Sequence, residues 1–120
     1  QQAYALGAKI LEVDVWVRTD VGRRVIEVHP EVSFAKMADR PLVHPKSTWA
    51  GAEERRAVLM AAGIAVPGEL GLAGEMASVD DVLDAAAASW TAARFARDMA
   101  VSYPSTPESF GDGHAAAIWA

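Results

Sequence analysis

Apolar positions along the chain recur at two periods, and the switches between them mark out the elements. Over residues 2–18, Tyr4, Ala8, Leu11 and Val15 return at steps of four, three and four, with Ile10 widening the stripe. That is the period of a helix with one apolar face. Lys9 with Glu12, and Asp14 with Arg18, stand at helix-pair spacings on the wetter side. A polar break at 19–22 ends in glycine. Residues 24–29, RVIEVH, are short and β-branched and predict a strand. Val25, Glu27 and His29 then share one face of it, and Ile26 and Val28 the other. Pro30 suits the first turn of a short helix over 30–37.

Residues 39–46, DRPLVHPK, hold two prolines and predict an ordered loop. Ser47 or Thr48 then N-caps a helix through 62, with Trp49, Ala52, Arg56 and Leu59 near one stripe. Gly63 is placed to end that helix as its C′ residue. Glycine and proline over 66–74 predict a flexible surface loop. Ser78-Val79-Asp80-Asp81 has the form of a capping box with Asp in the place of Glu or Gln. It opens a helix to about residue 99 that packs Val82, Leu83, Ala86, Trp90 and Ala93. A Pro/Gly/Ser loop over 103–113 and a closing strand over 115–120 complete the chain. The order helix, strand, three helices, strand predicts an α/β fold. Two strands do not make a stable sheet, so the chain reads as part of something larger.

The length of 120 residues suits a single domain. The absence of cysteine excludes a disulfide scaffold, a zinc-thiolate site and a thiol nucleophile. No apolar run approaches the ~18 residues of a membrane span. The start lacks the basic region of a signal peptide and an initiator Met, which predicts the interior of a longer, soluble, cytoplasmic protein. The net charge of −5 is uneven: residues 1–60 carry nine basic against eight acidic side chains, and residues 61–120 two against eight. An acidic total argues against coating nucleic acid non-specifically, but not against carboxylates gathered around a metal.

Several chemical templates fail. His29, His44 and His114 form no metal-binding box. Lys46-Ser47-Thr48 ends like a phosphate loop but lacks the upstream glycines. Gly68, Gly71 and Gly74 lack dinucleotide-fingerprint spacing, and no G-x-S-x-G elbow exists. Carboxylates remain. Asp81 and Asp84, three apart, project from one side of the last helix, and that side continues through Ala88, Thr91 and Phe95. A divalent cation would suit such a pair; complementing the helix dipole is the alternative, strongest for Asp80. Glu27, near the C-terminal end of a strand, stands where open α/β sheets bind ligands; an edge-strand ion pair is its alternative. Glu31 reads as a first-turn helix acid. Lys46, Arg55 and Arg56 are the main basic group, either a phosphate grip or, with Glu53 and Glu54, a solvated helix face. His29 could contact phosphate or bind as a neutral ligand, with a satisfied structural histidine as the alternative. Trp49 and Trp90 read as core or interface residues, with base stacking a lesser alternative.

The segments EVHPEVSFAKMADRPL, KSTWAGAEERRAVL, DDVLDAAAASWTAARFA and the terminal AIWA resemble, in order, the C-terminal part of a predicted nuclease family of unassigned function with a ribonuclease H-like (RNase H-like) fold. QQAYALGAKILEVD is similar to its mid-chain helix, and Asp81-Val-Leu-Asp84-Ala resembles the D-x-x-D-A signature of the resolvase-like branch. The resemblance implies a three-layer α/β fold lacking its N-terminal strands, residues 1–120 being a single partial domain. It also implies a two-metal phosphodiester hydrolase using Mg²⁺ or Mn²⁺. Glu27, Asp81 and Asp84 would be catalytic and metal-binding, Lys46 and Arg55 would contact phosphate, and Gly51 would keep its helix slim for packing; His29, from its own place at the strand's end, is a further expected substrate contact. The superfamily's first-strand aspartate has no counterpart here. Nucleic acid is the expected substrate and a homodimer, or a missing N-terminal segment, the expected partner; no membrane is involved. The alternative is a non-catalytic homo-oligomeric assembly module derived from that fold, its acidic pair only a helix cap.

Overall fold

The structure is a computed structural model that describes residues 2–19, 25–111 and 115–120. Most of the polar break at 19–22, together with Arg24 and His114, lies outside the described residues. Five helices and three strands follow one another as α1 (Gln2–Thr19), β1 (Glu27–Val28), α2 (Pro30–Ala38), α3 (Trp49–Ala61), α4 (Leu72–Met76), α5 (Val79–Phe95), β2 (Ser102–Ser109) and β3 (Ala115–Trp119) among the described residues. The architecture is mixed α/β.

The helix ends are set locally. Pro30 occupies the first turn of α2, where its missing N–H costs no hydrogen bond, and Asp39 ends the helix in the left-handed region at φ 53°. Thr48 caps α3 by accepting from the Gly51 N–H at 3.0 Å. The other end of α3 is a Schellman motif: Gly63 N–H reaches Met60 O at 3.0 Å and Ile64 N–H reaches Leu59 O at 2.8 Å. Gly63 carries the motif at φ +85°, which a side chain would strain. Ser78 caps α5 by accepting from Asp81 N–H at 3.3 Å.

Helices α2, α3 and α5 pack on one another around Phe34, Ala52, Leu59, Leu83 and Ala87. Phe34 and Leu59 are sealed from solvent and Leu83 nearly so; each contributes about 1.5–3 kcal/mol through removal from water. The face that α5 buries is Leu83, Ala87 and Thr91. Of the expected Val82, Leu83, Ala86, Trp90 and Ala93, Leu83 is buried, Val82, Ala86 and Trp90 are partly covered and Ala93 is exposed, because alanine on several sides of the helix leaves the apolar stripe poorly defined. Thr91 is buried because its hydroxyl meets the Ser33 hydroxyl of α2 at 2.8 Å, so neither polar group lacks a partner. Trp49 and Arg56 do not join the core, and Trp49 is 80% exposed. Gly51, Ala52, Arg55 and Leu59 form the buried face of α3 instead.

The sheet has the order β1-β3-β2, with β1 parallel and β2 antiparallel to β3. Glu27 lies opposite Ile118, and Ser102 opposite Trp119. The expected loop over 103–113 is therefore mostly a strand. Pro104 and Pro107 are tolerated because β2 is at the sheet edge and its register shifts between Tyr103 and Glu108. The expected loop over 66–74 holds through Gly71 and then gives way to the short helix α4, and α5 stops at Phe95 rather than near residue 99. Phe95 meets Trp119 edge-on at 4.8 Å, joining the helical layer to the sheet. Helix α1 forms as its period predicts, yet its apolar stripe is not covered: Ile10, Leu11 and Val15 are 61%, 67% and 62% exposed. No helix among the described residues is long and apolar enough to cross a membrane.

Candidate functional site

The loop over 39–46 is fixed from two directions. Glu54 of α3 accepts the Val43 and His44 N–H groups at 3.0 and 2.9 Å and the Arg40 guanidinium at 3.0 Å. These donors, the His44 N–H foremost, lower its carboxyl from the ordinary 4.5 to about 2. Glu54 thus ties down the loop and does not belong to the expected solvated face. On the other side, the Thr48 hydroxyl donates to Pro45 O at 2.8 Å. A Cβ at position 51 would stand 1.9 Å from that same carbonyl oxygen, so only glycine admits the loop this close. Packing accounts for Gly51 as the resemblance implies.

That anchorage carries Lys46 to α5. Its ammonium donates to Asp84 Oδ2 at 2.9 Å and lies 3.4 Å from Asp80 Oδ2. Asp80 and Asp84 are four residues apart and so face the same way. The Asp84 carboxylate, with Asp80 beside it, raises Lys46 above the ordinary lysine value. Asp80 is held below the usual aspartate range, first by the Ser78 hydroxyl at 2.6 Å and then by Lys46. The second oxygen of Asp84, Oδ1, is buried with no hydrogen-bond partner. Beside this group opens a hollow of about 530 Å³, lined by Lys46, Ser47, Thr48, Trp49, Arg56 and Asp80 among others.

The other expected site residues go elsewhere. Asp81 is exposed; the Ser78 hydroxyl accepts its N–H, which is the N-cap half of the capping box, and donates to its carboxylate at 2.7 Å. Glu27 is exposed on β1 and lines a different hollow of about 760 Å³, together with Ile10, Val13, Val25, Phe95 and Trp119. His29 is the exposed N-cap residue of α2 and its side chain makes no capping bond. Arg55, expected to reach phosphate, is only 2% exposed. Its Nε and Nη2 grip Glu31 at 3.1, 2.9 and 2.7 Å, and Nη1 donates to His44 O and Gly51 O at 3.1 and 2.9 Å. All five guanidinium N–H groups are accounted for, so Arg55 has none left for a ligand. Glu31 is correspondingly more than a first-turn acid. Among the described residues no three His, Asp or Glu side chains gather closely enough to hold a metal ion.

Sequence reasoning underweighted Asp80, which partners Asp84 across one helical turn, and Glu54. The four-residue spacing of Asp80 and Asp84 was a readable signal. That Lys46 would join them was not.

A mixed α/β chain with a carboxylate pair bridged by a loop lysine is the class that fold and site define. A family profile described as a protein of unknown function, DUF429, matches residues 1–109, and the chain belongs to that family. No curated protein and no solved structure matches it.

Proposed function

We propose that the protein is a metal-dependent phosphodiester hydrolase of RNase H-like architecture, acting on nucleic acid through the Lys46–Asp80–Asp84 group. The observation that carries this reading is Asp84 itself: one oxygen already holds a cation, and the other is buried and unpartnered. Mg²⁺ is commonly held by one or two carboxylates, with water and substrate phosphate completing its shell. Asp80 and Asp84 fit one such ion in donor type and number. The three-carboxylate set Glu27, Asp81 and Asp84 is not gathered in this way, and Asp81 is better read as a cap.

When bound, Mg²⁺ or Mn²⁺ supplies charge for a phosphoryl oxygen and makes a water more acidic. Asp84 would hold the ion, with Asp80 beside it. Lys46 offers up to three N–H donors to a phosphate oxygen at the rim of the hollow. The exposed ring of Trp49 gives an unpaired base a surface to stack on. Cleavage of short single- and double-stranded DNA and RNA with Mg²⁺ or Mn²⁺ tests the proposal. We expect activity that Asp84→Asn lowers by about 100-fold or more, a loss of the size that a removed charge-stabilising group causes. No cleavage with either metal, in whatever oligomer light scattering reports, overturns it.

The second reading, a homo-oligomeric assembly module, is favoured by the uncovered apolar residues of α1. It predicts self-association that Asp84→Ala leaves intact and no cleavage under any metal.

A further inference from the structure

We infer that the hollow of about 530 Å³ is a guanine-binding subsite, in which an unpaired guanine stacks on Trp49 and is read by Glu53 and Arg56. The inference rests on the nucleic-acid reading for the class of its ligand, and adds which base is held and by what.

The walls come first. Trp49 opens α3, yet the buried face of that helix is Gly51, Ala52, Arg55 and Leu59. The indole, 80% exposed, contributes nothing to the core. It lines the hollow instead, together with Ala52 and Val79, the latter 63% exposed. Every base has a π-face to lay on such a ring, a contact worth about ten-fold in affinity. The volume falls within the ~300–1,000 Å³ of small-ligand sites.

The polar edge comes next. Glu53 and Arg56 follow Trp49 at steps of four and three, so the three share one face of α3, and all of them line the hollow. The fold spends little of either side chain. Arg56 Nη2 donates to Val66 O at 3.1 Å, which steadies the guanidinium and leaves its other N–H groups for a ligand. Its Nε stands 3.9 Å from the Glu53 carboxylate, beyond hydrogen-bond reach. Glu53 is 52% exposed and accepts no hydrogen bond among the described residues. The neighbouring Arg55 is the opposite case, with every N–H in use.

Charge and donor pattern then choose the ligand. Lys46 and Arg56 are offset in the lining by Glu53 and Asp80, so the hollow suits a neutral group rather than a phosphate. A carboxylate offers two acceptor oxygens and a guanidinium only donors. Among the bases, guanine alone sets two N–H donors side by side, on N1 and N2, with the acceptor O6 next to them. Glu53 can take both donors while Arg56 donates to O6. Adenine and cytosine would turn a ring acceptor toward one carboxylate oxygen, and thymine or uracil a carbonyl. Because guanine is read on its pairing edge, the base must be unpaired.

The test is fluorescence anisotropy of labelled short oligothymidylates carrying one central guanine, adenine or cytosine, with EDTA present so that no strand is cut. The guanine strand should bind at least about ten-fold more tightly than the other two, as a bidentate base contact does. Trp49→Ala should weaken it by about ten-fold, and Trp49→Phe much less. Glu53→Gln, which exchanges one acceptor oxygen for a donor, should bring the guanine strand to the level of the others. Both positions are exposed, and circular dichroism verifies that each variant folds. Equal binding of the three strands, or a guanine preference that survives Glu53→Gln, overturns the subsite and leaves the hydrolase reading to the cleavage assay. Guanine-selective binding without cleavage in Mg²⁺ or Mn²⁺ upholds the subsite and overturns hydrolysis. No binding of any strand overturns the subsite and nucleic acid as the ligand together.

Discussion

Two clusters join a basic side chain to carboxylates within one small helical layer, and they are built to opposite ends. Around Arg55 every donor is matched: Glu31 takes three bonds and two backbone carbonyls take the rest, beneath a nearly complete seal from solvent. Around Lys46 the match is incomplete. The ammonium is half-exposed, and Asp84 keeps one oxygen without a partner. A saturated, buried cluster can only hold elements together, since removing any member leaves a charge stranded. An unsaturated one at the edge of a hollow can trade partners at little structural cost.

The largest effect that would break this comparison is at Arg55. Arg55→Ala should destabilise the fold by about 3 kcal/mol, the lower end for a broken buried pair because Glu31 is itself partly exposed. Urea unfolding measures it, and a loss below about 1 kcal/mol would reduce the cluster to an ordinary surface pair. Gly51→Ala comes next, at roughly 2 kcal/mol, since the new methyl must push back the Pro45 carbonyl. It should loosen both clusters, because the same loop supplies His44 O to Arg55 and carries Lys46.

Acid should separate the loop anchor from the rest. With its carboxyl lowered to about 2, Glu54 contributes stability that is present above its ordinary 4.5 and is lost as pH falls toward 2. Glu54→Gln should therefore be less stable than the wild type at neutral pH, with the gap closing across that window in pH-dependent unfolding curves. A gap that stays constant would show the hydrogen bonds, not the charge, to matter. Smallest of all, Lys46→Met should change stability by less than about 0.5 kcal/mol in thermal melts, as an exposed pair does. A large loss would make Lys46 a structural pin like Arg55 and sharpen the contrast out of existence.

The elements were largely legible from the chain, and the two clusters were not. Pro30, Thr48, Gly63 and Ser78 mark helix ends correctly, because each acts on backbone groups within a few residues of itself. The alternation of Val25, Glu27 and His29 as exposed and Ile26 and Val28 as partly covered likewise follows from an extended backbone, although of the expected strand over 24–29 only Glu27–Val28 joins the sheet among the described residues. The strand over 102–109 was hidden by its prolines, whose tolerance depends on a place at the sheet edge that local sequence does not reveal. The α5 face was blurred by alanines. Helix α1 is the reverse case: its pattern is readable, but what would cover Leu11 and Val15 does not follow from it.

By itself, then, the sequence determined where α2, α3 and α5 begin, where α3 ends and which β1 positions face outward, since those choices rest on bonds closed within one turn or one pleat. Tertiary structure alone decided the chemistry. Arg55 finds Glu31 from 24 residues away, and Lys46 finds Asp84 from 38. Until those long loops close, both cations are equivalent by composition and spacing. What distinguishes them afterwards is the number of acceptors the packed chain brings within reach of each.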